Sequence, residues 1–234
     1  MNVKAAESET GSLAPAAVLS ADTPVFSELA MRGLDILVSG LLLLLLSPLL
    51  LVVAVLVKFD SRGPAIFRQA RVGRKMKPFQ VAKFRTMRNG VAADPHRDYV
   101  EQLIREDDDA RGKPPRPMMK LKQDPRITKI GGFLRRTSID ELPQLWNVLR
   151  GEMSLVGPRP PIQYEVDAYP ARALRRFAVR PGLTGLWQVS GRSLVTFSEM
   201  VELDNEYVER RSLLLNLKIL VFTVPTVIHG KGAE

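Results

Sequence analysis

Cysteine is absent from the 234 residues of the chain. Without thiols there is no disulfide framework, no thiolate nucleophile and no cysteine-based zinc site. Histidine is almost as scarce: His96 and His229 are the two imidazoles, and both sit in segments without other catalytic signals. A histidine-dependent triad or an H-E-x-x-H metal site is thereby excluded. Negative charge is also in short supply. Lys and Arg total 34 against 25 Asp and Glu, a formal net charge of +9. That balance points to phosphate-bearing partners: nucleic acid, anionic lipid or a phosphorylated substrate. If the chain is an enzyme, carboxylates and cations carry its chemistry.

The length suits one sizeable domain with attachments, and no internal repeat is visible. Residues 1–25 are rich in Ala, Ser, Thr and Glu, hold Pro15 and Pro24 and lack an apolar period. This composition predicts a disordered segment. It has neither the basic start nor the short apolar core of a cleaved signal peptide. Residues 26–57 read as a membrane segment and 58–234 as the remaining domain. From Lys58 to Asn89 ten cations face a single acid, Asp60. Within that stretch "PAIFRQ" and "KPFQVAKFRT" alternate as small strands do. Residues 90–123 are polar and Pro-rich, with "EDDD" at 106–109, and predict a helix plus a loop. The stretch 161–211 reads as mixed helix and loop, and 212–229 as a last apolar helix.

The run "LLLLLLSPLLLVVAVLV" occupies residues 41–57. As one helix, Ile36 to Val57 would reach about 33 Å, enough to span a bilayer core of about 30 Å. Yet Ser47-Pro48 splits the run, and each half would reach only about 13–17 Å. Pro48 removes a backbone donor and favours a kink. The Ser47 hydroxyl is then able to bond a freed carbonyl, so the segment could enter one leaflet and return. Arg32 flanks one end and the basic stretch the other, so charge permits both ends on the cytoplasmic side. On the residues alone, spanning and re-entry both stand.

The densest chemistry lies in "DPRITKIGGFLRRTSIDELPQLWNVLRGEMSLVGPRP", Asp124 to Pro160. Leu142, Leu145, Trp146 and Leu149 recur at helical spacing, predicting a helix over 141–150 with Pro143 in its first turn. Asp140 then falls at the N-cap with Glu141 just inside. Acids at a helix start are ordinary caps. Here, however, Arg135, Arg136 and Arg150 flank the pair, and "GPRP" with Arg159 follows in a turn-rich loop. Paired carboxylates can hold a divalent cation, and guanidinium groups match phosphate oxygens bidentately.

Taken together, "FRQARVGR", "KFRTM", "LRRTSIDELPQLWNVLRGEMSLVGPRP" and "RPGLTGLWQVSGR" resemble the bacterial sugar transferase family, the monotopic phosphoglycosyl transferases. The resemblance runs in the same motif order from about residue 30 to the C-terminus. It implies transfer of a sugar-1-phosphate from a UDP-sugar to undecaprenyl phosphate, starting exopolysaccharide or other surface glycan synthesis. Asp140 and Glu141 match the family's catalytic dyad, Asp140 as nucleophile, with Mg²⁺ held at the same place. Lys83, Arg85, Arg136 and Arg159 are the substrate-binding candidates around the phosphates. Ser47 and Pro48 match the break of a re-entrant membrane helix. Arg68, Arg71 and Arg74 are candidates for lipid headgroups instead. Trp187, Gln188 and Arg192 in "GLWQVSGR" are weaker site candidates, a packed Trp beside a loop being the ordinary case.

The expected fold is α+β: a mostly helical cytoplasmic domain with a small sheet, on the bacterial inner membrane. It would be anchored by the re-entrant helix and by interfacial amphipathic helices, without an N-terminal multi-span region. The tail places Leu213, Leu214, Leu217, Leu220, Val221, Val224, Val227 and Ile228 in one stripe, and Lys218 argues for an interfacial helix rather than a spanning one. The expected partners are UDP-sugar, undecaprenyl phosphate and membrane lipid, with a homo-oligomer open and nucleic acid not expected. Two rivals remain: a non-catalytic basic protein binding nucleic acid or anionic lipid, and a phosphatase-like hydrolase using the same carboxylate.

Overall fold

The computed structural model describes residues 24–88, 104, 126–191 and 195–228. The expectations for residues 1–23, for most of 90–123, for both histidines and for Arg192 lie outside these residues, as do those for the side chains of Val227 and Ile228. The described chain is mostly helical, with two two-stranded sheets. In chain order the helices are α1 (Val25–Asp60), α2 (Lys129–Thr137), α3 (Gln144–Arg150), α4 (Gln163–Asp167), α5 (Leu186–Ser190), α6 (Phe197–Arg210) and α7 (Leu213–Ile228). The strands are β1 (Ile66–Val72), β2 (Pro78–Phe84), β3 (Ser154–Val156) and β4 (Gly182–Thr184).

The apolar run folds into α1, a helix of 36 residues. Pro48 has no N–H to give the carbonyl of Leu44, and the Ser47 hydroxyl donates to that oxygen at 2.8 Å. At Ser47-Pro48 the helix continues, with one backbone hydrogen bond replaced by that of the serine hydroxyl.

One side of α1 packs on the rest of the protein along much of its length. Met31, Asp35 and Ser39 are buried near its start, Val53 and Val57 near its end. The Asp35 carboxylate accepts from the Leu155 N–H at 2.9 Å and from the Ser154 hydroxyl at 3.0 Å. Arg32 donates to the carbonyls of Val148 and Leu149, at 2.7 and 2.8 Å. These belong to the last turn of α3, where carbonyls lack helical partners. Arg32, at the flank of the apolar run, thus caps a helix of the domain. At the other end Val53 and Val57 join Phe84 and Leu134 in one apolar cluster. Leu37, Leu41, Leu44, Leu45, Leu51 and Val52 form the exposed side.

The alternating basic stretch forms the antiparallel hairpin β1–β2, with Phe67 opposite Lys83. Helix α2 starts at the Thr128 cap, whose hydroxyl accepts from the Gly131 N–H at 3.0 Å. A side chain on Gly131 would begin 2.2 Å from the Thr86 carbonyl oxygen, so α2 rests directly on the backbone leaving β2. Ser138, with φ 58°, turns the chain into a 3-10 turn over Ile139–Glu141. The sequence had predicted one helix over 141–150 with Asp140 at its cap. Instead Glu141 and Leu142 donate to Ser138 and Ile139, at 3.2 Å each. Those tight bonds leave Asp140 inside a separate turn, and α3 starts only after Pro143.

The parallel pair β3–β4 sits in the main core with Val81, Leu145, Val148, Met153 and Tyr207. Helix α6 opens with a capping box between Thr196 and Glu199. Helix α7 turns Asn216 and Ile219 inward and leaves Leu214, Leu217, Val221, Phe222 and Val224 exposed. The Tyr207 hydroxyl joins α6 to both neighbours, lying 2.9 Å from the Val156 carbonyl and 2.9 Å from the Asn216 side-chain oxygen.

Candidate active site

The 3-10 turn Ile139–Glu141 lies between α2 and β2. It carries Asp140, buried at 8% exposure, beside the half-buried Glu141. From β2, the Lys83 ammonium donates to Glu141 Oε1 at 2.6 Å. The tight register of the hairpin and the separate turn thus bring together residues far apart in the sequence.

A second wall is the loop Gly157–Pro161, which presents Arg159, half-buried. Next to it lies Arg71 of β1, at 7% exposure. Burial first, and then the charge of Arg159, pull the Arg71 guanidinium down to about 10, against the opposing pull of Glu165, Tyr164 and Glu141. Arg71 is still a cation at neutral pH. Its sensitivity to both Arg159 and Glu141 puts the turn and the loop in one electrostatic neighbourhood. An anion bound at Arg159 would relieve the repulsion between the two guanidinium groups.

The remaining candidates separate. Arg136 is exposed in the last turn of α2, just ahead of the acidic turn. Arg85 is taken up elsewhere: it is 3% exposed and donates to the Ser61 hydroxyl at 3.1 Å, to the Ser61 and Val57 carbonyls at 2.6 and 3.3 Å, and to the Pro64 carbonyl. Its guanidinium thus closes the end of α1, where helix carbonyls need donors. Of the three arginines assigned to lipid, only Arg68 is exposed. Arg71 is buried, and Arg74 donates to the Ala178 carbonyl at 3.1 Å. Trp187 packs with Phe197 and Met200, the ordinary role anticipated for it, and Gln188 reaches the Leu183 carbonyl at 3.4 Å.

Arg176, on the 3-10 segment Ala171–Ala178, was missed. It is 3% exposed, pairs with Asp204 at 2.6 Å, donates to the Tyr169 hydroxyl at 2.9 Å and reaches the Arg159 carbonyl at 3.3 Å. Nothing in "ARALRRF" distinguishes it from its neighbours Arg172 and Arg175, since only packing buries one of the three. With Arg159, Glu165, Tyr169 and Phe197 it lines a small cavity.

Among the described residues no three His, Asp or Glu side chains cluster as a metal cage. The Asp140–Glu141 pair fits a different arrangement. Mg²⁺ is commonly held by one or two carboxylates, with waters and substrate phosphates filling the remaining positions.

Comparison with known proteins identifies the family. A profile described as bacterial sugar transferase matches residues 26–230. An exopolysaccharide production protein of Sinorhizobium fredii is 41% identical over 226 residues, covering 96% of this chain and 92% of the relative. The undecaprenyl-phosphate galactose phosphotransferase of Salmonella typhimurium is 41% identical over 207 residues, 88% of this chain and 42% of the relative. The UDP-glucose:undecaprenyl-phosphate glucose-1-phosphate transferase of Caulobacter vibrioides is also 41% identical, over 214 residues, 88% of this chain and 72% of the relative. The chain therefore spans nearly all of one such relative but less than half of another. Profile and relatives cover the turn, the hairpin and the arginine loop alike, and by them the chain belongs to the bacterial sugar transferase family.

Proposed function

We propose that the protein transfers a hexose-1-phosphate from a UDP-sugar to undecaprenyl phosphate, as the name of its Caulobacter relative describes for that protein. The observation that carries the reading is the pairing of a buried carboxylate turn with cations. Asp140 and Glu141 stand beside Lys83, with Arg71 and Arg159 on the adjoining loop and strand. A neutral sugar needs no such set, whereas a diphosphate does.

In this mechanism Asp140 is the nucleophile. Its carboxylate oxygen attacks the phosphorus that bears the sugar, and the bond to the bridging oxygen breaks toward UMP. An oxygen of undecaprenyl phosphate then attacks the same phosphorus, and the Asp140 carboxylate leaves with its electron pair. Lys83 and Arg159 offset the charge that collects on the phosphoryl oxygens and on departing UMP. Lys83 also holds Glu141 in place. Bound Mg²⁺, held by Asp140 and Glu141, would supply charge neutralisation at the diphosphate. The relatives acting on glucose and on galactose are equally identical to this chain, so both donors belong in the assay.

We place the protein on the cytoplasmic face of the inner membrane with α1 re-entrant and α7 at the interface. What supports this is that both halves of α1 pack on the same domain: Val38 and Leu42 on the main core, Val53 and Val57 on Phe84 and Leu134. A spanning helix would carry one half to the other side.

The deciding experiment is intact mass of the enzyme given UDP-glucose or UDP-galactose with Mg²⁺ and no acceptor. A sugar-phosphate adduct and stoichiometric UMP are expected, then discharge onto added undecaprenyl phosphate. Asp140→Asn should fold and form neither adduct nor lipid product. A folded Asp140→Asn protein that still makes the lipid product would end the covalent reading. Steady UMP release without any acceptor would favour the hydrolase, and binding without turnover the non-catalytic rival.

A further inference from the structure

The loop that carries Arg159 is held in an uncommon way. Pro158, Pro160 and Pro161 have no N–H, so the loop offers its neighbours mainly carbonyls. Four of these, from Pro158 to Pro161, are engaged. The Pro158 carbonyl accepts from the Gly182 N–H at 2.8 Å, and the Pro161 carbonyl from the Val72 N–H at 2.9 Å. The Arg159 carbonyl accepts from Arg176 at 3.3 Å and the Pro160 carbonyl from Arg71 at 3.0 Å. At the loop's start Gly157 donates to the Thr184 carbonyl at 2.8 Å. A side chain on Gly182 would begin 2.0 Å from the Gly157 nitrogen, so the backbones themselves are in contact.

Two of the four carbonyls are therefore held by buried guanidinium groups. Burying such cations is costly unless their donors are satisfied. Arg71 directs its Nε and a terminal nitrogen to the Gln69 side-chain oxygen, at 3.2 and 2.8 Å, leaving the other terminal nitrogen for Pro160. Arg176 is braced by Asp204, by the Tyr169 hydroxyl, and by the Tyr169 ring 5.3 Å from its central carbon. Arg71 is fixed by Gln69 and Arg176 by Asp204 and Tyr169, and the two reach adjacent carbonyls of one loop. A lysine offers neither the fork nor its planarity.

We propose that Arg71 and Arg176 are positioning residues: by holding the Pro160 and Arg159 carbonyls they fix the direction in which the Arg159 guanidinium meets the donor's diphosphate. The proposal rests on the reading of Arg159 as a diphosphate ligand. It separates Arg71 from the lipid-facing role its place in a basic stretch suggested, and gives Arg176 a role where none was assigned.

The test is a double-mutant cycle on full-length enzyme in nanodiscs, with UDP as the probe and its Kd as the readout. The proteins are wild type, Arg71→Lys, Arg159→Ala and the double variant. Arg71→Lys should weaken UDP about 10-fold in the wild-type background but less than about 2-fold when Arg159 is already alanine. Equal penalties in both backgrounds would overturn the proposal, since Arg71 would then act on the ligand directly or through general stability. Gln69→Ala, at a half-buried position, loosens the same fork without removing charge and should show the same coupling on a smaller scale. Arg176→Lys extends the cycle to the second clamp, again expected to lose its effect without Arg159. The transferase reading fails separately, if wild-type enzyme binds UDP yet yields no UMP from UDP-glucose or UDP-galactose with undecaprenyl phosphate.

Discussion

At Glu141 a single side chain faces two demands. Its ion pair with Lys83, between groups whose side chains are 36% and 22% exposed, contributes at most about 1 kcal/mol to stability. Glu141→Gln should therefore shift the melting temperature by only about 2 °C. If Glu141 also serves the diphosphate site, kcat/KM should fall about 100-fold or more. Thermal unfolding and initial-rate kinetics on the same preparation separate the two effects. Asp204 offers a contrast in burial. Desolvation pushes its carboxyl up to about 6, although Arg176 opposes the shift. The folded chain then keeps a proton there between about pH 4 and 6 that the unfolded chain has released. This group's contribution to stability accordingly falls as pH rises through that window and is constant above it. Scanning fluorimetry from pH 4 to 8 should show that decline removed when the pair is replaced by Arg176→Met with Asp204→Leu. Such an apolar replacement of a buried ion pair is commonly neutral or stabilising, yet donor affinity should drop because the Arg159 carbonyl loses its clamp.

Among the elements, α1 shows how a proline can sit in a long helix without ending it. Ser47 fills the place of the missing donor, so in the proposed membrane placement Ser47→Ala leaves the Leu44 carbonyl without that bond, a cost of about 1–3 kcal/mol. Pro48→Leu would restore the backbone bond and favour a straight helix. Both halves of α1 contact the domain, the first through the polar latch of Arg32 and Asp35, which is what supports the proposed re-entry. With no native cysteine, Ser8→Cys and Lys129→Cys make clean reporters. Neither should react with an impermeant maleimide in intact cells, and both should react after lysis. Labelling of the Ser8 site from outside would refute re-entry. Pro48→Leu is expected to raise labelling there and lower activity together.

For the whole molecule, net charge +9 and two exposed apolar faces act together. In the proposed placement the outer side of α1 and the exposed Leu214, Leu217, Val221, Phe222 and Val224 side of α7 would bury in a membrane, with the charge adding attraction to anionic lipid. Val221→Asp with Phe222→Asp should reduce flotation with vesicles containing anionic lipid. The melting temperature in detergent should hold, since both residues are exposed. A loss of folding in that variant would show the face to be core.

Much of this was legible in the residues, and the reasons are physical. Periodicity and turn chemistry are local, so the β1–β2 alternation, the apolar stretch of α1 and the span of α7 could be read directly. The acidic pair stood out because nearby sequence supplied both its carboxylates and its arginines. Absence was as informative: no cysteine and two histidines leave carboxylates as the nucleophiles of choice. Which arginine does what, by contrast, depends on depth, and depth is set by contacts between distant segments. Arg85, Arg71 and Arg74 all lie in one basic stretch, yet packing sends the first to the end of α1, the second to a proline loop and the third to the Ala178 carbonyl. That Arg32 also caps the end of α3 could not be read from its place beside the apolar run. The sequence by itself determined the chemistry available and the pieces that would form. Only the tertiary structure decided which charges are buried, because burial is a property of neighbours and not of neighbouring letters.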